Sequence, residues 1–308
     1  MTLTQLSYLI SLDTHRHFGK AAEHCFVSQP TLSIQIQRLE EELDVLLFDR
    51  TRKPVVPTSV GQLVIAQARL VVRESQRIGD VVAEARGEVA GTITVGVIST
   101  LAPYVLPLLL PVFCERYPKV HLVVRERLTD QIQEGLADDT LDVGLIAASL
   151  LASKFRSVPL FVEPFLAYLP VGHHLADADA LRPADLRGEN VWLLQQGHCF
   201  RDQALRVCHD QQGEGIQAAV RFEGSSLDTL IKMVDHVGGL TLLPYLATTY
   251  LSDVEVEDQI RPFADPAPGR QIYLVMRRGY LKRRLIEALQ RTLLDVLPAA
   301  LPRMTEAL

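Results

Sequence analysis

The stretch between Thr58 and Gly87 constrains the fold of this chain more than any other. It keeps helical spacing without a proline well beyond the length of up to about 20 residues that a globular helix usually reaches. Thr58 can cap its start and Gly87 can end it. Apolar residues recur at Leu63, Ala66 and Leu70, then at Ile78, Val81 and Val82, enough to pack against a partner helix from another subunit. An intramolecular connector is the plainer alternative. Residues 59–88 are therefore expected to form a linker and dimerisation helix between a small N-terminal domain, 1–58, and a large C-terminal one, 89–308.

The small domain reads as helix, tight turn, helix. Leu6, Leu9 and Ile10 place an apolar stripe on a first helix that ends near His15 to His17. Phe18 to Cys25 gives a short second helix whose small residues let another helix approach, and Cys25 is expected to pack there. Ser28 is a good N-cap, Pro30 is tolerated in a first turn, and Leu32, Ile36, Leu39 and Leu43 repeat at helical spacing. The exposed face of this third helix opens with Gln29, Pro30, Thr31, Ser33 and Gln35, and its polar side chains suit base edges and phosphates at a recognition helix. Glu40, Glu41 and Glu42 lie at the far end, away from DNA. The segment Leu46 to Thr58 has the look of a two-stranded wing, with Arg50, Arg52 and Lys53 at its tip to hold a phosphate backbone. A purely structural three-helix subdomain is the alternative, and the wing weighs against it.

From Thr92 the pattern changes to short apolar strands separated by helical stretches. Thr92–Ile98, Val120–Val124 and Leu141–Ile146 form one set; Phe165–Leu169, Val191–Leu194 and Gly239–Pro244 form a second. The strand Gln271–Met276 and a terminal helix from Leu281 to Leu297 return to the first set. Such alternation predicts a largely parallel α/β sheet. The expected fold is thus an α winged helix-turn-helix, a long linker helix and an α/β domain of two lobes, residues 89–162 with 268–308 and residues 163–267, with a cleft between them. Ser99, Thr100 and Thr129 directly follow strands, where clefts of this kind bind ligands, although capping is the commoner role of a threonine there.

With 308 residues and 48% hydrophobic content the chain can build such domains. Met1–Gln5 carries no basic segment leading into an apolar one, so no signal peptide is expected, and no apolar run reaches membrane-spanning length. The formal net charge of −6 speaks against nucleic acid for the chain as a whole, yet the charge of a small domain can be hidden by the rest. Four cysteines without a Cys-x-x-Cys pair argue against a disulfide scaffold and against a zinc cluster, and point to reducing cytosol. Neither a metal nor a cofactor is expected. Cys114, in the apolar setting Val112-Phe113-Cys114, reads as packing.

Cys199 and Cys208 are different. Gly197 breaks the preceding apolar run, and Phe200 to Val207 has the composition of a short helix, which puts Cys199 at its N-terminal end. The helix dipole, a protonated His198 and the cation of Arg201 would all favour the thiolate, the form that reacts with peroxides. Were residues 199–208 all helical, nine steps of about 1.5 Å would separate the two positions by roughly 13 Å, whereas a disulfide needs Cα atoms within about 7 Å. Oxidation would then select another conformation of the segment. Two buried, inert cysteines remain the alternative.

The segment Phe18 to Lys53, with Ala21-Ala22, Ser28-Gln29-Pro30-Thr31-Leu32-Ser33 and Leu39-Glu40, resembles the winged helix-turn-helix of LysR-type transcriptional regulators, and the likeness extends over the whole chain. Within that family, Gly197-His198-Cys199 to Cys208 resembles the OxyR-type peroxide sensors, supported by His15-Arg16-His17-Phe18 and Leu242-Leu243-Pro244. The resemblance implies a periplasmic-binding-protein-like regulatory domain, a homotetramer built as a dimer of dimers on promoter DNA, and recruitment of RNA polymerase that changes on oxidation. It implies that Cys199 becomes a sulfenic acid and that Cys208 resolves it to a disulfide, which a thiol reductant resets. It places Thr100, Thr129 and His198 around the hydrogen peroxide, Asp202 close enough to help move a proton, and Arg270 near the reactive segment. Ser99 departs from the pattern, which has proline there.

Two other functions stay open. A regulator of this fold could bind a small anionic metabolite in the cleft through Ser99, Thr100 and helix ends, the cysteines being incidental. A thiol peroxidase would use Cys199 repeatedly. The usual Pro-x-x-x-Thr/Ser-x-x-Cys motif is missing, since Trp192 and Gln196 hold the proline and Thr/Ser positions, and a DNA-binding domain would be superfluous. The expectation is therefore a non-enzymatic, cytoplasmic regulator.

Overall fold

The computed structural model describes residues 1–150, 152–208, 224, 226–279 and 282–304; of residues 76, 80, 83 and 84 it describes the backbone alone. The chain divides into two compact units, Met1–Arg86 and Gly87–Leu308.

In the first unit three helices, α1 (Leu3–His15), α2 (Phe18–His24) and α3 (Gln29–Leu43), precede two short strands, β1 (Phe48–Asp49) and β2 (Val56–Pro57), and a long helix, α4 (Ser59–Arg86). Each helix start has a physical cause. Thr2 and Gln5 form a reciprocal capping box on α1, the Nδ1 of His17 accepts from the backbone of Gly19 and Lys20 on α2, and Ser28 Oγ accepts from Thr31 N on α3. Thr58 Oγ1 accepts from Gly61 N at 2.9 Å and opens α4. Gly61 permits the close approach of α4 to the wing, because a Cβ there would lie 2.0 Å from the carbonyl oxygen of Leu47. Leu9, Leu12, Ala21, Leu32, Ile36, Leu39 and Phe48 close a core between the helices and the wing. Cys25 does not continue α2 but forms its C-cap, half-buried against that core.

The second unit is a mixed sheet with helices. Its elements run β3 (Gly91–Ile98), α5 (Ala102–Arg116), β4 (Val120–Arg127), α6 (Thr129–Ala137), β5 (Val143–Ile146), β6 (Phe155–Tyr168), β7 (Val191–Trp192), α7 (Cys199–Val207), α8 (Leu227–Val237), β8 (Leu240–Pro244), α9 (Tyr245–Thr248), α10 (Asp253–Gln259), β9 (Ile260–Pro262), β10 (Gly269–Arg277) and α11 (Arg283–Val296). The expected start of the terminal helix at Leu281 lies outside the described residues.

Strand order is β4-β3-β5-β10-β6-β8-β7, with β9 paired to β6. The expectation of a largely parallel sheet needs correction: β3 is parallel to β4 and β5, and β7 to β8, but β10 is antiparallel to both β5 and β6, and β6 to β8 and β9. The reason is β6, which pairs with β10 in its first part and with β8 and β9 beyond Phe165, so a single strand joins both lobes. Its prolines sit where a ladder tolerates them. Pro159 lies at the register shift opposite Tyr273, and Pro164 faces Gly269 at the end of β10.

Helix α5 continues through Pro107 and Pro111, which with Pro103 form one exposed stripe at four-residue spacing. Cys114 falls on that outer side and is exposed, which corrects its expected packing role. Phe113, one step of about 100° round the helix, is the buried neighbour.

Candidate functional site

The residues expected to meet nucleic acid come first along the chain. Gln29, Pro30 and Thr31 are exposed in the first turn of α3, while Ser33 and Gln35 are half-buried. Ser28 Oγ and Thr31 Oγ1 lie 2.8 Å apart, so part of this hydroxyl surface is committed to the cap. The wing cations differ from one another. Arg52 is 72% exposed and pairs loosely with Asp49 at 3.2 Å, and Lys53 is exposed. Arg50 instead donates from Nη2 to Glu40 Oε2 at 2.7 Å and stacks over the ring of Phe18. Glu40 is buried and its other oxygen accepts from the backbone of Leu47 and Phe48, so it anchors the wing to α3 rather than standing with Glu41 and Glu42 as a solvated charge.

In the second unit the reactive segment is short. Gly197, at φ +99, turns the chain, and a Cβ there would meet Leu128 at 3.6 Å, which sets the segment against the start of α6. His198 occupies the N-cap of α7, Cys199 its first residue and Cys208 its C-cap, so the two thiols stand at opposite ends of one helix, both free. Cys199 is half-buried. Cys208 is 3% exposed, and burial pushes its thiol up to about 11.

His198 is 4% exposed. Its Nδ1 lies 3.1 Å from Ser99 Oγ, and its Nε2 is buried without a hydrogen-bond partner. Burial lowers its pKa, which keeps the ring neutral at pH 7; the expected contribution of a protonated His198 to the thiolate is therefore withdrawn. Arg201 donates to the carbonyl of Leu194 at 2.8 Å, a structural bond at the helix start.

Thr100 is buried and doubly engaged by Arg270: Nη1 donates to its Oγ1 at 2.7 Å and Nη2 to its carbonyl at 3.0 Å. Arg270 also donates from Nε to Glu163 Oε2 at 2.8 Å and lies 5.4 Å from the ring centre of Phe200. Thr129 opens α6, yet its Oγ1 makes no cap and is a buried orphan. Asp202 is exposed in the first turn of α7, three residues after Cys199.

Contacts thus join the residues after β3 (Ser99, Thr100) to His198 at the start of α7 and to Arg270 of β10, and Gly197 to Leu128 before α6; among the described residues they do not join Thr129 or Asp202 to that group. Sequence reasoning missed Glu163, which fixes Arg270, and Gln203, whose Nε2 donates to the carbonyl of Ala147 at 2.8 Å and ties α7 to the end of β5. A polar residue between Val162 and Pro164 in an apolar run was the available signal for Glu163.

Among the described residues, His173, His174 and Glu189 form the group close enough to hold a metal ion. His173 Nδ1 accepts from Leu175 N, so in the neutral ring Nε2 carries the proton and donates toward Glu189 rather than offering a lone pair to a metal. No described helix is long and apolar enough to cross a membrane.

Residues 3–62 match the bacterial regulatory helix-turn-helix protein model of the lysR family, and residues 86–298 match the LysR substrate binding domain. The chain is 38% identical over 281 residues to the DNA-binding transcriptional dual regulator OxyR of Escherichia coli (strain K12), covering 91% of this chain and 90% of that one. It is 36% identical to the hydrogen peroxide-inducible genes activator of Pectobacterium carotovorum, covering 95% and 96%. Among solved structures, a cysteine-to-aspartate variant of full-length OxyR from Pseudomonas aeruginosa superposes with a TM-score of 0.76 at 33% identity, over 99% of this chain and 98% of that one. A cysteine variant of Corynebacterium glutamicum OxyR in its H2O2-bound form gives 0.65 at 28%, over 96% and 92%. With both domain models matched and relatives aligned over nine-tenths of its length, the chain belongs to the LysR family of transcriptional regulators, among the OxyR proteins.

Proposed function

We propose that this chain is a DNA-binding transcriptional regulator that senses hydrogen peroxide through reversible formation of a Cys199–Cys208 disulfide. The observation that carries the reading is the placement of the two thiols at the two ends of α7. A helix of that length holds its ends roughly 13 Å apart, beyond the reach of about 7 Å that a disulfide allows, so oxidation and the helix exclude one another. Cys199 sulfur attacks one peroxide oxygen, the O–O bond breaks, and a sulfenic acid and water result. The thiol of Cys208 then displaces water from that sulfur to give the disulfide, and a dithiol reductant returns both. Because Cys208 is buried and protonated, it waits until α7 opens.

Thr100, Thr129, His198, Asp202 and Arg270 surround the reacting thiol in this reading, with no metal or cofactor. Gln29, Pro30, Thr31, Ser33 and Gln35 face the major groove, and Arg50, Arg52 and Lys53 serve the phosphates, Arg50 from its bond to Glu40. The exposed apolar stripe of α4, with Leu63, Leu70, Ile78, Val81 and Val82, supports a homo-oligomer, a dimer or a tetramer of two dimers, acting in the cytoplasm with RNA polymerase as partner. A carboxylate effector finds less support, since the hydroxyls of Ser99 and Thr100 are already engaged by His198 and Arg270.

Footprinting on a promoter the chain controls tests the reading. Peroxide should change the protected region with the parent and leave it unchanged with Cys199→Ser, which still binds. An unaltered peroxide response in Cys199→Ser would exclude Cys199 as the sensor.

A further inference from the structure

We propose that Ser99 is a positioning residue for the peroxide step, its hydroxyl donating to Nδ1 of His198 and so holding the proton of that ring on Nε2, beside Cys199. The inference rests on the reading of Cys199 as the peroxide-reactive thiol. Three features support it. Ser99 follows β3 in one lobe and His198 caps α7 in the other, yet Oγ and Nδ1 meet at 3.1 Å across 99 positions of sequence. The imidazole is buried and neutral, so it carries one N–H and one lone pair, and the bond to Ser99 decides which of them falls on Nε2. Nε2 has no protein partner although it is fully buried, and Thr129 Oγ1 is in the same condition. Gly197, next to His198, lies against Leu128, next to Thr129, and two such orphans on adjoining segments suit a small polar molecule.

The direction of the Ser99 bond follows from the two groups. An imidazole lone pair is a stronger acceptor than a hydroxyl oxygen, and among the described residues His198 is the single partner of Ser99 Oγ. The hydroxyl therefore donates, Nδ1 accepts, and Nε2 carries the hydrogen.

The chemistry then balances without a net proton from histidine. Cys199 sulfur bonds to one peroxide oxygen and is oxidised by two electrons, the O–O bond breaks, and the second oxygen is reduced and leaves as water with the proton the thiol gave up. The Nε2–H stabilises negative charge on that departing oxygen while the bond breaks. Without Ser99 the ring is free to place its lone pair there instead, which repels the same charge.

The test uses the full chain in its reduced form. Ser99→Ala should slow sulfenic acid formation at Cys199 roughly tenfold at limiting peroxide, the lower end of what partners that orient a working imidazole contribute. Alkylation of Cys199 by iodoacetamide, which needs no proton at an oxygen leaving group, should keep its rate. Ser99→Thr, which retains the hydroxyl, should react like the parent. Nitrogen-15 spectra of histidine-labelled parent should show Nδ1 of His198 unprotonated, and Ser99→Ala should shift protons toward it. A Ser99→Ala rate within about twofold of the parent, equal slowing in the alanine and threonine variants, or a parent ring protonated on Nδ1 each overturns the role of Ser99. A parent that does not react at Cys199 overturns the peroxide reading itself, so the two failures are distinct.

Discussion

Arg270 and Glu163 form an ion pair at 2.8 Å with neither side chain exposed, one from β10 and the other from β6, opposite one another in the ladder. Every arm of the pair is used: the guanidinium also binds Thr100, and the second carboxylate oxygen accepts from Leu246 N at 2.8 Å. The pair ties the loop after β3 to the strand that both lobes share, which fixes the wall against which α7 lies through Phe200.

Removing one partner should be costly. Glu163→Ala is expected to lower unfolding free energy by about 3–5 kcal/mol, because it strands a buried guanidinium, whereas the apolar double variant Glu163→Leu with Arg270→Met should lose much less. Denaturant titration of both variants checks this. Equal losses in the two would mean that shape, not charge pairing, holds the site.

Cys208 should leave a signature in alkaline stability. Its folded pKa of about 11 lies above the reference value of 9.0, so the folded protein holds its proton longer than the unfolded one. The contribution is fully present below about pH 9, falls as pH rises toward 11 and is then lost, an effect on the order of 2 kcal/mol for a shift of that size. Unfolding curves of the parent and Cys208→Ala, compared from pH 8 to 11, should diverge by that amount. Parallel curves would mean that the thiol is not held in an apolar place.

The wing cations should separate by role. Arg52→Ala should weaken DNA binding across sequences and reduce the slope of log K against log salt by about one, as the loss of a phosphate contact does. Glu40→Ala should instead destabilise the first unit, since it removes the acceptor of the Leu47 and Phe48 amides and of Arg50 together. Salt-dependent binding and thermal melts distinguish the two.

The α4 stripe should govern association. Leu63 and Ile78 are 73% and 68% exposed, so Leu63→Glu with Ile78→Glu should lower the mass in sedimentation toward a single chain while far-ultraviolet dichroism keeps its helix content. An unchanged mass would place the interface elsewhere.

Much of this arrangement is legible before any coordinates. Local chemistry sets the caps at Ser28 and Thr58, the glycine at the end of α4 and the apolar strands, and these depend on neighbours in sequence. What escapes depends on distant ones. Strand β6 hides because Pro159 and Pro164 break its apolar run, and only the bulge opposite Tyr273 and the partner change at Phe165 excuse them. The bonds from Ser99 to His198 and from Arg270 to Glu163 join residues 99 and 107 positions apart, which no spacing rule reaches. Cys114 deceives for a different reason: the residues before it, Val112 and Phe113, are apolar, but on a helix they point elsewhere. His198 likewise reads as a cation next to a thiol until burial is known.

In the proposed mechanism Cys199 and Cys208 form the sensing disulfide. Reduced protein treated with one equivalent of hydrogen peroxide, then digested without reductant and mapped by mass spectrometry, tests it most directly. A rapid Cys199–Cys208 linkage is expected, with Cys25 still free and with Cys114 also free despite its exposure. Cys199 and Cys208 both recovered as thiols, or Cys114 oxidised in their place, would contradict it.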